Sequence, residues 1–296
     1  TEKKSMKKLL LLVVLIAFAG VTTAADRFAG TGKLTEHTFK HKGVEYNYWL
    51  YMPENLPADA PLVMVFHGYG SKRVPTLQYG FNLVADKNNF AVCYPCGPKD
   101  PGGNRYWSIG YKYHIDNKLM RDDVGFVERL VKHLQKEYGF SKQNTFAAGN
   151  SNGGAMGYML AYKSPETFSA IASVSGHIME YMYKRLEPNP VPIMEIHGTK
   201  DSLARWNGDP YNNNLRGADV SIPSVMSLWI SANRCTHEVR DTLPQRRHKV
   251  IAHRYMGGVN GNQVWLYEIV DGKHSYAEKD LDAAVEIWKF FSIYLK

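Results

Sequence analysis

The spacing of apolar residues changes repeatedly along the chain, and each change predicts an element. Residues 44–53, VEYNYWLYMP, alternate roughly between apolar and polar, the period of a strand with one covered face. Residues 61–68, PLVMVFHG, and 90–95, FAVCYP, are continuous apolar runs, as expected for strands buried on both faces. Over residues 122–139 the period lengthens: Val124, Val127, Leu130, Val131 and Leu134 share one helical face, and Gly139 is placed to stop the helix. The pattern then predicts a strand at 145–149, a helix at 152–163, strands at 168–176 and 191–198, and a helix near 223–233. Asn260-Gly261 falls between two apolar runs and reads as a hairpin turn, and the last helix is expected near 279–294.

Buried strands that alternate with helices predict the α/β class, with a mostly parallel central sheet and helices on both faces. Such sheets carry their chemistry beyond the carboxyl ends of the strands. Residues just after each strand are therefore the ones to read.

The first 25 residues fall outside this pattern. A basic start, an apolar run from Leu9 to Ala19 and small residues up to Ala25 have the form of a signal peptide, cleaved near Ala24 or Ala25. Met6 reads as the start and residues 1–5 as an upstream extension. The apolar run is short for a membrane span, so no stable membrane insertion is expected after cleavage, and the mature chain is expected to be secreted or periplasmic. Export also changes the charge. Lys3, Lys4, Lys7 and Lys8 against Glu2 supply +3 of the formal +8, leaving +5 on the mature chain. The densest basic stretch, RRHK at 246–249, reads as a solvated face, and no nucleic-acid partner is expected. Three cysteines, Cys93, Cys96 and Cys235, exclude a disulfide scaffold. CYPC has the spacing of a redox pair, but Cys93 lies inside an apolar run, where a buried thiol is the expectation; a bridge involving Cys96 or Cys235 is left open.

Candidate chemistry begins after the strand at 145–149. Gly149-Asn150-Ser151-Asn152-Gly153 places a serine on a strand-to-helix turn with glycines two residues away on each side. A nucleophile elbow needs that spacing because the turn is too tight for side chains at the flanking positions. A serine hydroxyl needs a base, and the base a carboxylate to orient it, in the order Ser, Asp or Glu, His. Among the histidines after Ser151, His274 follows the last strand in a loop. Asp201 lies just past the strand at 191–198, with Asp209 as second choice. The oxyanion donors expected are the amide of Asn152 and one from Gly68 or Tyr69. His67 is expected to be structural. Trp107, in the long loop 95–114, and Trp206 are candidates for an aromatic wall. No metal or other cofactor is expected; there is no HExxH pattern.

The segments VMVFHGYG, DDVGFV, GNSNGGAMGYMLAYKSPETFSAIASVSG, IHGTKD and DGKHSY, in that order, resemble the α/β-hydrolase esterases of the feruloyl esterase and polyhydroxybutyrate depolymerase-like group, carbohydrate esterase family 1. The similarity runs from about residue 40 to the end. It implies one α/β-hydrolase catalytic domain over 26–296. It also implies a Ser151–His274–Asp201 triad, beside which the residues' own reading expects an oxyanion hole from Tyr69 and Asn152 and a mechanism that requires no cofactor. The implied substrates are esters of plant cell-wall polysaccharides or oligosaccharides, feruloyl first, acetyl on xylan second, a polyester third. The competing expectation from another class is a non-catalytic carbohydrate-binding protein on the same fold. Two pocket positions depart from the group: Ser275-Tyr276-Ala277 replaces Thr-Trp-Pro, and SLARWNG replaces an apolar-Pro-Tyr-Asn-Gly stretch. Tyr276 and Trp206 therefore bear on acyl specificity.

Overall fold

The computed structural model describes residues 30–71 and 80–296. The expected signal peptide lies outside the described residues. These form one ten-stranded sheet in the order β1-β2-β4-β3-β5-β6-β7-β10-β9-β8. The strands are β1 Lys33–His41, β2 Val44–Met52, β3 Leu62–Phe66, β4 Ala91–Pro95, β5 Thr145–Asn150, β6 Ala170–Val174, β7 Ile193–Gly198, β8 His237–Thr242, β9 Val250–Met256 and β10 Val264–Ile269. Between them run helices α1 Phe81–Asn88, α2 Lys112–Asp116, α3 Asp123–Tyr138, α4 Asn152–Lys163, α5 Glu180–Arg185, α6 Ile222–Asn233 and α7 Ala283–Ser292.

The middle of the sheet, from β4 through β3, β5, β6 and β7 to β10, is parallel. Antiparallel pieces close it on both sides, β1 and β2 at one edge and β9 and β8 at the other. β1 is an element the hydrophobic pattern did not mark. It joins β2 through Lys42 and Gly43, both at positive φ, as a tight hairpin turn requires. The hairpin turn expected at Asn260-Gly261 is a short 3₁₀ turn, Val259–Gly261, between the antiparallel β9 and β10.

Alternation along the buried strands sends side chains into two cores. Leu62, Met64 and Phe66 of β3 pack with Phe126, Leu130 and Val131 of α3, Met156 and Leu160 of α4, and Val225 and Trp229 of α6. Val63 and Val65 point the other way, towards Phe81 of α1 and Ile287, Phe290 and Phe291 of α7. Both faces of the sheet are covered, which is why β3 could be apolar throughout.

The last helix begins later than its apolar pattern suggested. Ala277 takes φ 62, the segment 277–281 turns on itself through bonds to the Ala277 carbonyl, and α7 starts after Asp282. RRHK lies on an exposed face, as expected for Arg246, Arg247 and Lys249, with Arg246 paired to Asp282 at 2.9 Å and the half-buried His248 to Asp280 at 2.9 Å. Among the described residues no helix is long and apolar enough to cross a membrane. All three cysteines are free, and Cys93 and Cys96 are buried.

Candidate active site

The turn between β5 and α4 has the geometry its sequence implied. Ser151 sits at φ 54, ψ −115, outside the usual range of an L-residue. Its N–H donates to the Val174 carbonyl at 2.8 Å, and its own carbonyl accepts from Ala155 at 2.9 Å, so the strained residue is held from both sides. A Cβ on Gly149 would stand 2.2 Å from the Gly153 carbonyl oxygen, so the approach of helix to strand requires glycine there. Asn152 is the first residue of α4, and its amide has no carbonyl inside the helix to bond. The helix dipole points its positive end at the same place.

Two other strand ends supply the histidine and the carboxylate. Asp201 follows β7, and His274 follows β10, the strand beside β7. His274 Nδ1 donates to Asp201 Oδ2 at 2.7 Å. Asp201 Oδ1 accepts from the amides of Leu203 and Ala204 at 2.8 and 2.9 Å, and His197 Nε2 lies 3.5 Å from Oδ2. Burial raises the Asp201 pKa, but the bond from His274 and the nearby imidazoles outweigh it and hold the carboxyl below its ordinary value. Ser175 Oγ donates to the Ser275 carbonyl at 2.9 Å and ties the histidine loop to the end of β6. Asp209, the second choice from sequence, does not meet His274. It accepts from the amides of Asn213 and Asn214 and from the Asn213 side chain, and it organises its own loop.

The loop after β3 is fixed by His67. Its Nε2 accepts from the Gly97 amide at 2.9 Å, so Nδ1 carries the proton and donates to the Gly68 carbonyl at 2.8 Å. Burial drives this imidazole down to about 4, so it stays neutral. The Tyr69 side chain is exposed and its hydroxyl donates to Asp100 at 2.5 Å; only its backbone N–H concerns the expected oxyanion hole.

The expected aromatic wall is not what the structure builds from Trp107. That residue is fully buried, edge-on to Phe66, with its indole N–H donating to the His67 carbonyl at 3.0 Å. It supports the loop from beneath and presents no face to a ligand. Trp206 is half-buried, edge-on to His197 at 6.1 Å. Tyr276 is buried in the core that holds α7.

A contribution the sequence reading missed is the Asn152 side chain. It is wholly buried; Oδ1 accepts from the Trp107 amide at 2.6 Å and Nδ2 donates to the Trp107 carbonyl at 3.2 Å. The residue after the serine therefore clamps the loop that follows β4. A polar residue at the first buried turn of a helix was the available signal, since such a group needs partners.

A family model described as Phospholipase/Carboxylesterase matches residues 54–206. The bifunctional acetylxylan esterase/xylanase XynS20E of Neocallimastix patriciarum is 28% identical over 171 residues, 56% of this chain and 23% of that protein. Feruloyl esterase B of Neurospora crassa is 26% identical over 130 residues, 43% of each chain. The match spans less than half the length of both relatives. An acetyl xylan esterase from Aspergillus awamori has a similar structure, with a TM-score of 0.61 at 16% identity, covering 88% of this chain and 99% of that one. The fold is the α/β-hydrolase fold.

Proposed function

Because the chain belongs to the phospholipase/carboxylesterase family, we propose that it is a serine carboxylesterase, exported by its N-terminal segment and acting on feruloyl or acetyl esters of plant cell-wall polysaccharides. The observation that carries this reading is the 2.7 Å bond between His274 and Asp201, on the neighbouring ends of β7 and β10, with only β6 between them and the strand that leads into the strained serine turn.

In this reaction Ser151 Oγ attacks the ester carbonyl while His274 Nε2 takes its proton. Asp201 fixes the tautomer by accepting from Nδ1, which leaves Nε2 as the base, and it stabilises the imidazolium that forms. The amides of Asn152 and Tyr69 hold the negative oxygen of the tetrahedral intermediate. His274 returns the proton to the leaving alcohol, and water then cleaves the acyl-enzyme by the same steps. Every group needed for the proton transfers comes from this chain.

Relatives named for acetylxylan and feruloyl esters support the substrate class. The burial of Trp107 removes one wall expected for a cinnamoyl ring, and that observation favours acetyl as the second reading. Hydrolysis of methyl ferulate and of 4-nitrophenyl acetate, measured side by side for the wild type and Ser151→Ala, tests the proposal. Ferulate turnover lost in the variant is the expected result. Acetate turnover alone selects the small acyl group. Turnover that survives Ser151→Ala overturns the mechanism, and none in the wild type favours a carbohydrate-binding role.

A further inference from the structure

Behind the His274–Asp201 pair lies a second pair that the proposed mechanism does not use. Glu195, in the middle of β7, and His197, two residues on, are both fully buried. His197 Nδ1 lies 2.7 Å from Glu195 Oε1. His197 Nε2 lies 2.7 Å from the Ala204 carbonyl oxygen and 3.5 Å from Asp201 Oδ2. Glu195 also accepts from the Gly176 amide at Oε1, 3.2 Å, and from the Tyr158 hydroxyl at Oε2, 2.7 Å. A chain of close approaches thus runs from the buried Tyr158, Glu195, His197 and Asp201 to the half-buried His274.

The donors and acceptors in the array favour one distribution of charge. The Ala204 carbonyl can only accept, so Nε2 must donate. Glu195 Oε1 also accepts from the Gly176 amide and Oε2 from the Tyr158 hydroxyl, bonds that favour the ionised carboxylate and with it Nδ1 as the second donor. An imidazole that donates from both nitrogens is an imidazolium, and a buried imidazolium needs the counter-charge that Glu195 supplies.

We propose that His197 is a permanently protonated positioning residue, which Glu195 holds charged against Asp201 Oδ2, the oxygen that orients His274. The pH consequence rests on the reading of Ser151, His274 and Asp201 as a triad; the protonation state does not. The cation offsets part of the Asp201 charge, so His274 holds its own proton less tightly and remains a free base to lower pH. Each element around His197 contributes to this field. Glu195 comes from β7 and Asp201 from the loop after it. His274 comes from the loop after β10. His177, from the loop after β6, is kept neutral by burial and by the nearby Arg216, which push it down to about 3. Trp206 stands edge-on and carries no charge. The raised pKa of His197, despite its burial, agrees with the hydrogen bond and charge of Glu195.

Two measurements test the proposal. In ¹⁵N-histidine NMR of the wild-type protein, one imidazole should keep both ring nitrogens protonated from about pH 6 to about pH 8, and Glu195→Gln should turn that signal neutral. A neutral ring for His197 throughout overturns the proposal, whether or not the protein hydrolyses any ester. In the pH profile of kcat/KM for 4-nitrophenyl acetate, the acid limb should move up by about half a unit or more in Glu195→Gln and in His197→Asn. A fall in kcat/KM with an unmoved limb would mean a merely structural role and also overturns it. Absence of hydrolysis in the wild type would sink the esterase reading and leave the NMR result to decide this one.

Discussion

Gly153 lies so close to Phe66 that a Cβ on it would stand 2.2 Å from the Phe66 carbonyl oxygen and 2.6 Å from that of His67. Helix α4 therefore touches the backbone leaving β3, and both obstructing atoms belong to main chain that cannot step aside. Gly153→Ala should destabilise the fold by about 3 kcal/mol or more, since relief requires moving a helix or a central strand. The midpoint of urea unfolding checks this.

Asn152→Ala should act on the loop after β4 while keeping the Asn152 amide. It strands the Trp107 N–H in a buried site, while the Trp107 carbonyl keeps its bond from the Ile109 amide, at a cost of about 1–3 kcal/mol. The freed Trp107 indole also loosens its support of the His67 carbonyl. Lower stability together with reduced ester hydrolysis is expected. Unchanged unfolding in urea would contradict the clamp.

Two buried histidines should make the protein acid-sensitive. Burial lowers His67 to about 4 and His177 to about 3, while an unfolded histidine titrates near its ordinary value of about 6.5. Between those limits the unfolded chain binds protons that the folded one refuses, so stability is fully present above about pH 6.5 and falls as the pH drops. Each histidine contributes a slope of about 1.4 kcal/mol per pH unit. His177→Leu should remove about half of the combined slope, measured by urea unfolding from neutral pH down to pH 5.

Cys93 and Cys96 are buried, and burial raises both thiols above their ordinary pKa. Neither has the thiolate that alkylation or exchange needs. Iodoacetamide should modify them in urea and leave them untouched in the native protein. Rapid native labelling of either would show a different packing around β4.

Local signals made the turn at Ser151 legible: glycines at fixed spacing, an apolar strand before and a helix after. Asp201 and His274 were legible because each follows a strand end; the sequence ranked Asp201 ahead of Asp209, and it is Asp201 that bonds His274. Trp107 misled because a tryptophan in a loop has the same sequence signature whether it lines a groove or lies under one. The Asn152 clamp spans 45 residues and leaves no periodicity. β8 was hard to find for a related reason: all six of its residues are exposed, so no apolar pattern marks it, and only its pairing with β9 makes it a strand. β1 had a signal that went unread, the Lys42-Gly43 turn.

The order of strands in the sheet also sets a timetable. β3 waits for β5 on one side, with β4 and the whole of α3 between them in the chain. β7 pairs with β10 only after β8 and β9 have been made, and His274 meets Asp201 across 73 residues. Contacts between distant segments form slowly because the intervening chain must be closed first. As the chain leaves the ribosome, the serine turn can therefore fold while the proposed base is still unsynthesised, and a nascent chain truncated before β10 would carry the proposed nucleophile without His274 to activate it.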